Sequence, residues 1–154
     1  MTKKNVDYLV LKSPYGIQLR FESHYYSSYN NGKIENYMYS IWDSKTNSQL
    51  GFCDLRLGDE QDLFYLGNIG YNIFLHHRGH GYAKIATKLL LMLSKKLGIK
   101  QLFITCDPNN IASKKTIISC GGIYINTVNV PAYDPLFLQC EYIKDRFLID
   151  LRGI

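Results

Sequence analysis

The stretch of the chain best suited to chemistry is a glycine-rich segment from Tyr71 to Lys84, with the sequence YNIFLHHRGHGYAK. A strand pattern enters this segment and a helical pattern leaves it, so several backbone N–H groups should point at one spot in front of a helix N-terminus. Gly79 and Gly81 have no Cβ, which would let an anion approach the backbone closely. The segment therefore predicts a site for a phosphate or pyrophosphate group.

Other phosphate-binding loops fit this segment poorly. A G-x-G-x-x-G loop would need a glycine where the chain has Lys84, and the pattern G-x-x-x-x-G-K-[ST] is absent. On the loop alone, the alternative is a glycine turn that only connects a strand to a helix.

Histidine and cysteine side chains raise the question of a metal or a covalent intermediate. His76 and His80 have the spacing of two ligands on a helix face, but they and His77 lie in a predicted loop without a third ligand nearby, so we predict no metal site. Cys106 lies in a strand that is apolar on both faces, which favours a buried thiol with a raised pKa over a nucleophile. None of the four cysteines has C-x-x-C spacing, and free, mostly buried thiols are expected at Cys53, Cys106, Cys120 and Cys140.

The elements that must position the glycine-rich segment follow from hydrophobic periodicity. Apolar residues recur every three or four positions from Gly81 to Leu97, which predicts an amphipathic helix that ends at Gly98. A strand over Gln101–Cys106 and an asparagine-capped helix over Ile111–Ser119 follow. A loop is predicted over Tyr25–Lys33. The other predicted strands are Val6–Lys12, Ile17–Glu22, Tyr37–Trp42, Leu50–Leu57, Leu63–Leu75, Ile123–Val130 and Leu138–Leu148.

This order of elements predicts an α/β fold with one mixed, mostly antiparallel sheet. The crossover through the lysine-rich helix should be parallel and right-handed. The length of 154 residues and the 46% apolar content suit one domain over residues 1–154. No apolar run has the roughly 18 residues that span a bilayer, and the N-terminus lacks a secretory pattern, so we expect a soluble cytoplasmic protein without a membrane partner.

The formal net charge of +5 is mild and suits an anionic small molecule. The basic residues are scattered rather than clustered, so nucleic acid is not expected as a partner. A positive protein also suits a polycationic ligand poorly.

The segment Arg78-Gly79-His80-Gly81-Tyr82-Ala83 matches the R/Q-x-x-G-x-G/A signature, and the chain resembles the GNAT superfamily of acyl-CoA-dependent N-acetyltransferases from about Tyr39 to Gly122. It looks similar to a bacterial GNAT group that carries I-T-C-D, as in Ile104–Asp107, followed by N-x-A-S-x-K, as in Asn110–Lys115, and Gly-Gly. The resemblance implies a GNAT fold with a splayed central strand pair and flanking helices. Residues 1–42 depart from it, because they look strand-rich where GNATs usually have two helices.

The resemblance also implies acetyl-CoA as co-substrate and assigns residues to it. The strand residues Tyr71, Asn72 and Ile73 would bind the pantetheine arm through their backbone, and Asn110 would contact the cofactor. The pyrophosphate would be held by the loop residues, with added charge from Arg78 or Lys84. These loop residues are Arg78, Gly79, His80, Gly81, Tyr82, Ala83 and Lys84.

Three positions where GNATs often place an acid or a base hold Gly67, Thr105 and Ile117 in this chain. Two hypotheses follow. The protein is an N-acetyltransferase with acid and base groups elsewhere, or it is a non-catalytic acyl-CoA-binding or sensing domain. The substitute candidates are Asp54, Tyr71, Tyr133 and Tyr142, for each of which a merely structural role is the alternative. The acceptor would be a small-molecule or peptide amine, and a homodimer is compatible with the family.

Overall fold

Two antiparallel sheets make up the computed structural model, which describes residues 6–29 and 32–154. The first sheet has the strand order β1 (Val10–Lys12), β2 (Ile17–Tyr29), β3 (Gly32–Asp43), β4 (Ser48–Leu57) and β5 (Ile69–Ile73). The second contains β6 (Gln101–Cys106), β7 (Ile123–Asn129) and β8 (Ile143–Asp150), with β8 in the middle. The helices are α1 (Tyr82–Lys96), α2 (Ile111–Ser119) and the short α3 (Pro135–Leu138), with 3-10 turns at Leu75–His77 and Leu151–Gly153.

The two sheets meet at the start of β5 and then separate. The amide of Asn68 donates to the carbonyl of Phe103 at 2.7 Å, and the amide of Phe103 donates to Asn68 Oδ1 at 2.9 Å. Beyond this point a cavity lies between β5 and β6. The α/β architecture, the mainly antiparallel strands and the splayed central pair are therefore confirmed. The single mixed sheet expected from the sequence is instead divided into two sheets, because the described residues of β5 and β6 share this junction and no ladder.

Helix α1 packs against β2, β4 and β5 of the first sheet and provides much of the core. Its buried face includes Ala86, Leu89, Leu90 and Leu93, as the periodicity predicted. The core joins side chains from both sheets, among them Leu19, Tyr39, Ile41, Leu55, Leu102, Ile104, Phe147 and Ile149. The helix therefore fixes the glycine-rich segment, which lies directly before it, relative to both sheets.

The N-terminal part is a long hairpin rather than strands joined by a loop. Tyr25 pairs with Asn36 and Ser28 with Lys33, so the loop predicted over Tyr25–Lys33 is strand on both sides of residues 30 and 31, which lie outside the described residues. Tyrosine suits a half-buried pleated strand, and the cross-strand pairing outweighs the turn tendency of the serines. The strand-rich character expected for residues 1–42 holds for the described part, although β1 is shorter than the predicted Val6–Lys12.

Two other predicted strands begin later than expected. Residues 63–67 form turns instead of the start of the Leu63–Leu75 strand, because Gly67 has a φ of 76° and its amide donates to the carbonyl of Leu63. The last strand begins at Ile143 rather than Leu138, since Pro135 and the buried cap Asp134 start α3 there. No helix among the described residues has both the length and the apolar character needed to cross a membrane.

Candidate active site

A cleft of about 550 Å³ opens where α1 begins beside the C-terminal end of β5. It is the place to which the sequence assigned a pyrophosphate. Two of the assigned residues, His80 and Lys84, do not line it. Nine of them do: Tyr71, Asn72, Ile73, Arg78, Gly79, Gly81, Tyr82, Ala83 and Asn110.

The amides of residues 79–84 are available to a ligand. Among the hydrogen bonds of the described residues, none is donated by these six backbone N–H groups, and the N-cap Gly81 offers no side chain to them. Gly79 and Gly81 adopt φ values of 87° and 77°, and a Cβ at either would meet nothing within 4 Å. The first turn of α1 carries no acidic residue. These features suit a phosphate or pyrophosphate at the positive end of the helix dipole.

Arg78 and Asn110 are held in place at the edges of this cleft. Arg78 Nε donates to the carbonyl of Ile73 at 2.9 Å, so its guanidinium ties the loop back to the end of β5. Asn110 caps α2, because its Oδ1 accepts a hydrogen bond from the amide of Ser113 at 3.0 Å. That cap was predicted from the sequence, and it leaves the Asn110 Nδ2 group for a ligand.

The far wall of the cleft comes from α2 and was not predicted as part of the site. Ala112, Lys115 and Thr116 line it, and their spacing places them on one helical face. The N-x-A-S-x-K motif, which begins with the capping Asn110, also contains two of these residues, Ala112 and Lys115. Ser113 of α2 and His77 of the 3-10 turn complete the lining.

A second cavity of about 340 Å³ lies between the separated strands and adjoins the cleft. Three residues line both spaces: Tyr71, Asn110 and Ser113. Its other lining residues come from segments far apart in the chain, which is why the sequence did not reveal it. They are Arg56, Leu66, Ile69, Gly70, Thr105, Cys106, Asp107, Leu136, Gln139, Glu141 and Lys144.

Tyr71 lies at the boundary between the two spaces. Its hydroxyl is 2.7 Å from Ser113 Oγ and 3.4 Å from the carbonyl of Ser113. Burial raises the pKa of Tyr71 to about 12, so the phenol is protonated at neutral pH. A protonated hydroxyl fixed at this position can serve as a proton donor, and Ser113 is the partner that sequence reasoning missed.

The three positions where GNATs often place acid or base groups cannot supply them here. A Cβ on Gly67 would lie 3.1 Å from the amide of Thr105, and the positive φ strains any side chain there. The hydroxyl of Thr105 donates to the carbonyl of Tyr65 at 2.8 Å. Ile117 is fully buried in the core. Any proton transfer must therefore use other groups.

The remaining candidates are less well placed than Tyr71. Asp54 is held by Arg56, with Nε 2.7 Å from Oδ2, and burial raises the pKa of this carboxyl against the opposing effect of Arg56. Asp54 does not line either cavity, whereas Arg56 does. Tyr133 and Tyr142 are exposed and line neither space; the Tyr142 ring packs on Phe137 at a centroid distance of 4.9 Å.

The thiols of the described residues are free, and three of the four are buried, with Cys140 the exposed one. Burial raises the pKa of Cys106 above that of an ordinary thiol, as expected. The described part of the chain contains no group of three or more His, Cys, Asp or Glu side chains arranged to hold a metal ion.

Comparisons with solved structures show where this fold occurs. The spermidine N-acetyltransferase from Vibrio cholerae, in complex with CoA and spermine, superposes with a TM-score of 0.57 at 13% identity over 76% of this chain and 66% of that one. The microcin C7 self-immunity acetyltransferase MccE, in complex with acetyl-CoA and AMP, superposes with a TM-score of 0.58 at 17% identity over 75% of this chain and 61% of that one. RimL, a ribosomal L7/L12 alpha-N-protein acetyltransferase in complex with CoA, superposes with a TM-score of 0.57 at 18% identity over 75% of this chain and 62% of that one.

These likenesses establish the fold, and this chain spans less than two thirds of the length of each of those proteins. A comparison with curated proteins gives no significant match. A family model described as an acetyltransferase (GNAT) domain matches residues 12–123, which is most of the chain. The chain therefore belongs to the GNAT acetyltransferase family.

Proposed function

We propose that this protein is an N-acetyltransferase that moves the acetyl group of acetyl-CoA to a primary amine by direct attack in a ternary complex. The observation that carries the proposal is the continuity of two spaces. A cleft with unpaired amides suits the pyrophosphate, and it adjoins, at Tyr71 and Ser113, a separate cavity between the strands. The thioester would lie at that junction and the amine would enter from the second cavity.

The reaction requires a neutral amine and a protonated leaving group. At pH 7 only about one lysine-like amine in 2,500 is neutral, so a base or a water chain must accept a proton. The amine nitrogen bonds to the thioester carbonyl carbon, the C–S bond breaks, and the thiolate takes a proton. Tyr71 is our candidate donor, because its phenol is protonated at neutral pH and its hydroxyl is held by Ser113 where the two spaces meet.

A non-catalytic acyl-CoA-binding or sensing domain is the second candidate. It is favoured by the three acid/base positions at Gly67, Thr105 and Ile117, which are sterically blocked, hydrogen-bonded and apolar respectively. It shares the cofactor site with the first candidate and differs in the absence of turnover.

Calorimetry with acetyl-CoA and with CoA at physiological salt tests what both candidates share. We expect both ligands to bind, and a lack of binding would overturn both. Release of free thiol across a panel of amines, aminoglycosides, amino acids and peptides then separates the candidates. Turnover above the background of the protein's own four cysteines supports the enzyme. Binding without turnover supports the sensor.

A pair of glycine variants tests where the cofactor binds. Gly81→Glu places a carboxylate in front of the unpaired amides, and we expect CoA affinity to fall by at least about tenfold. Gly98→Glu is the matched control, because Gly98 has a similar φ of 87° and equally open space but lies at the other end of α1. Equal CoA binding by both variants would contradict the placement.

We also propose that the protein acts in the cytoplasm and that two copies associate. Support for the association comes from β7, an edge strand on which Ile123, Tyr124 and Ile125 are exposed. Light scattering after gel filtration should report a dimer mass; a monomer at micromolar concentration would contradict the association.

A further inference from the structure

The second cavity contains an ion pair that no family motif predicts. Glu141 and Lys144 both line it, and Lys144 Nζ donates to Glu141 Oε1 at 2.5 Å. The segment that carries them is well fixed. The buried Asp134 caps α3 by accepting from the amide of Leu136 at 2.9 Å, and the amide of Glu141 donates to the carbonyl of Leu136 at 3.0 Å.

Lys144 has donors that its surroundings do not use. Its side chain is only 9% exposed, and Glu141 is the hydrogen-bond partner that the described residues give its ammonium group. An ammonium group has three N–H donors, so two donors of Lys144 have no acceptor among the described residues. Because an unpaired buried donor is costly, a ligand that fills this cavity should bring an acceptor group, and a carboxylate is the strongest choice.

Glu141 offers the complementary group. Its side chain is 37% exposed at the cavity, so its carboxylate can accept from an incoming ammonium while it remains near Lys144. It is also the one glutamate among the residues that line either space in the described chain. An ammonium and a carboxylate on one small ligand would therefore match this pair with opposite signs.

The buried ammonium of Lys144 argues against a polycation. Arg56 is paired with Asp54 at 2.7 Å, so the remaining lining charges, on Lys144, Glu141 and Asp107, leave one net negative charge, which is fewer than the positive charges of a polyamine would need. A polyamine would place further positive charges beside a buried ammonium. A volume of about 340 Å³ also suits a compact ligand.

We propose that the acceptor is a small molecule with one amine and one carboxylate, whose ammonium binds Glu141 and whose carboxylate binds Lys144. This inference rests on the proposed function, since it assigns the second cavity to the acceptor.

The first test compares matched acceptors at saturating acetyl-CoA. The probes are the common α-amino acids and short ω-amino acids, the amide of each, and spermidine. Thiol release gives kcat and KM, and calorimetry on the CoA complex gives binding where turnover is slow. We expect at least one free acid to bind or react at least about tenfold better than its amide and than spermidine. If no free acid binds or reacts, or if amides and spermidine do as well, the inference is overturned.

The second test removes the proposed carboxylate partner. Lys144→Met should raise KM or Kd for the free acid by about tenfold and leave the value for its amide within about twofold. Lys95→Met, an exposed change on α1, is the control and should alter neither. An equal loss for acid and amide overturns the assignment of Lys144. Acetyl-CoA binding is measured on the wild-type protein and on every variant. If the wild-type protein does not bind acetyl-CoA, the proposed function itself is wrong. If it binds acetyl-CoA but shows no preference for acids, only this inference is wrong.

Discussion

Tyr71 lines both the cleft and the second cavity, and the removal of one oxygen atom isolates the chemistry of its hydroxyl. Tyr71→Phe removes the hydroxyl that meets Ser113 and keeps the ring. If the phenol protonates the thiolate, kcat should fall by about 100-fold while the affinity for acetyl-CoA stays within about twofold, because general acids contribute at this scale. Steady-state kinetics and calorimetry measure the two quantities.

The matched control for this change is Tyr82→Phe. Tyr82 lines the cleft but not the second cavity, so its hydroxyl is not at the junction. We expect its kcat to stay near that of the wild type. Equal losses in both variants would indicate a general effect on the cleft and would argue against Tyr71 as the donor.

The buried hydroxyl of Thr87 lowers the stability of the fold. It is fully buried in α1, and its Oγ1 has no hydrogen-bond partner among the described residues. Thr87→Val keeps the shape and removes the unpaired group, so the free energy of unfolding should rise by about 1 kcal/mol. Urea denaturation measures it, with Thr87→Ser as the control: this variant keeps the hydroxyl, loses the methyl group and should be less stable than the wild type.

Helix α2 forms the far wall of the cleft, and an ion pair attaches it to the second sheet. Lys114 Nζ lies 2.8 Å from Asp145 Oδ2, and the Thr127 hydroxyl donates to the other oxygen. Burial alone would raise the pKa of Asp145, but the hydrogen bonds from Lys114 and Thr127 outweigh it and lower the pKa below its usual value. A lowered pKa in the folded state means that this carboxylate stabilises the fold wherever it is ionised in the unfolded chain too.

The sign of this shift predicts a pH dependence. The contribution of Asp145 should be complete above about pH 5 and should disappear as the pH falls below about 4, through the folded-state pKa. The difference in unfolding free energy between the wild type and Asp145→Asn should therefore be constant from pH 5 to 7 and shrink toward pH 3. Asp150→Asn, which removes a more exposed pair with Arg152, should show a smaller difference at every pH. A difference for Asp145→Asn that does not change with pH would contradict this account.

The elements that the sequence predicted well are those fixed by local signals. Helices α1 and α2 and strand β6 match their predicted bounds closely, because periodicity, an asparagine cap and a terminal glycine are read within one segment. Nine of the residues assigned through the family resemblance line the cleft; eight of them lie in the single segment from Tyr71 to Ala83, and the ninth, Asn110, caps α2. The turns over residues 63–67 could not be predicted this way, because their carbonyls accept hydrogen bonds from side chains that are distant in the sequence. The Thr105 hydroxyl donates to the carbonyl of Tyr65, and Arg56 donates to the carbonyl of Leu66. The second cavity was missed for the same reason.

At the scale of the whole molecule, the two sheets have to be held at one separation for the cavity between them to exist. Arg146 of β8 helps to hold the sheets at this separation. Its guanidinium lies 3.7 Å from the ring centroid of Phe64 and 4.8 Å from that of Phe103, and its Nε donates to the carbonyl of Phe64 at 3.1 Å. It therefore attaches the turns that precede β5 to the second sheet, next to Leu66, which lines the second cavity.

Loss of this attachment should affect stability and the acceptor side together. Arg146→Met should lower the free energy of unfolding by about 2–4 kcal/mol, because a buried cation–π contact and charged hydrogen bonds disappear and leave a carbonyl unpaired. Since Gly79 and Gly81 follow the C-terminal end of β5 and Arg146 contacts the turns before its N-terminal end, CoA affinity should stay within about twofold while KM for the acceptor rises. Arg152→Met, at an exposed arginine, is the control and should leave both the urea midpoint and the kinetics unchanged. If Arg146→Met weakened CoA and acceptor equally, the sheets would respond as one rigid body, and the separation that defines the second cavity would depend on α1 rather than on Arg146.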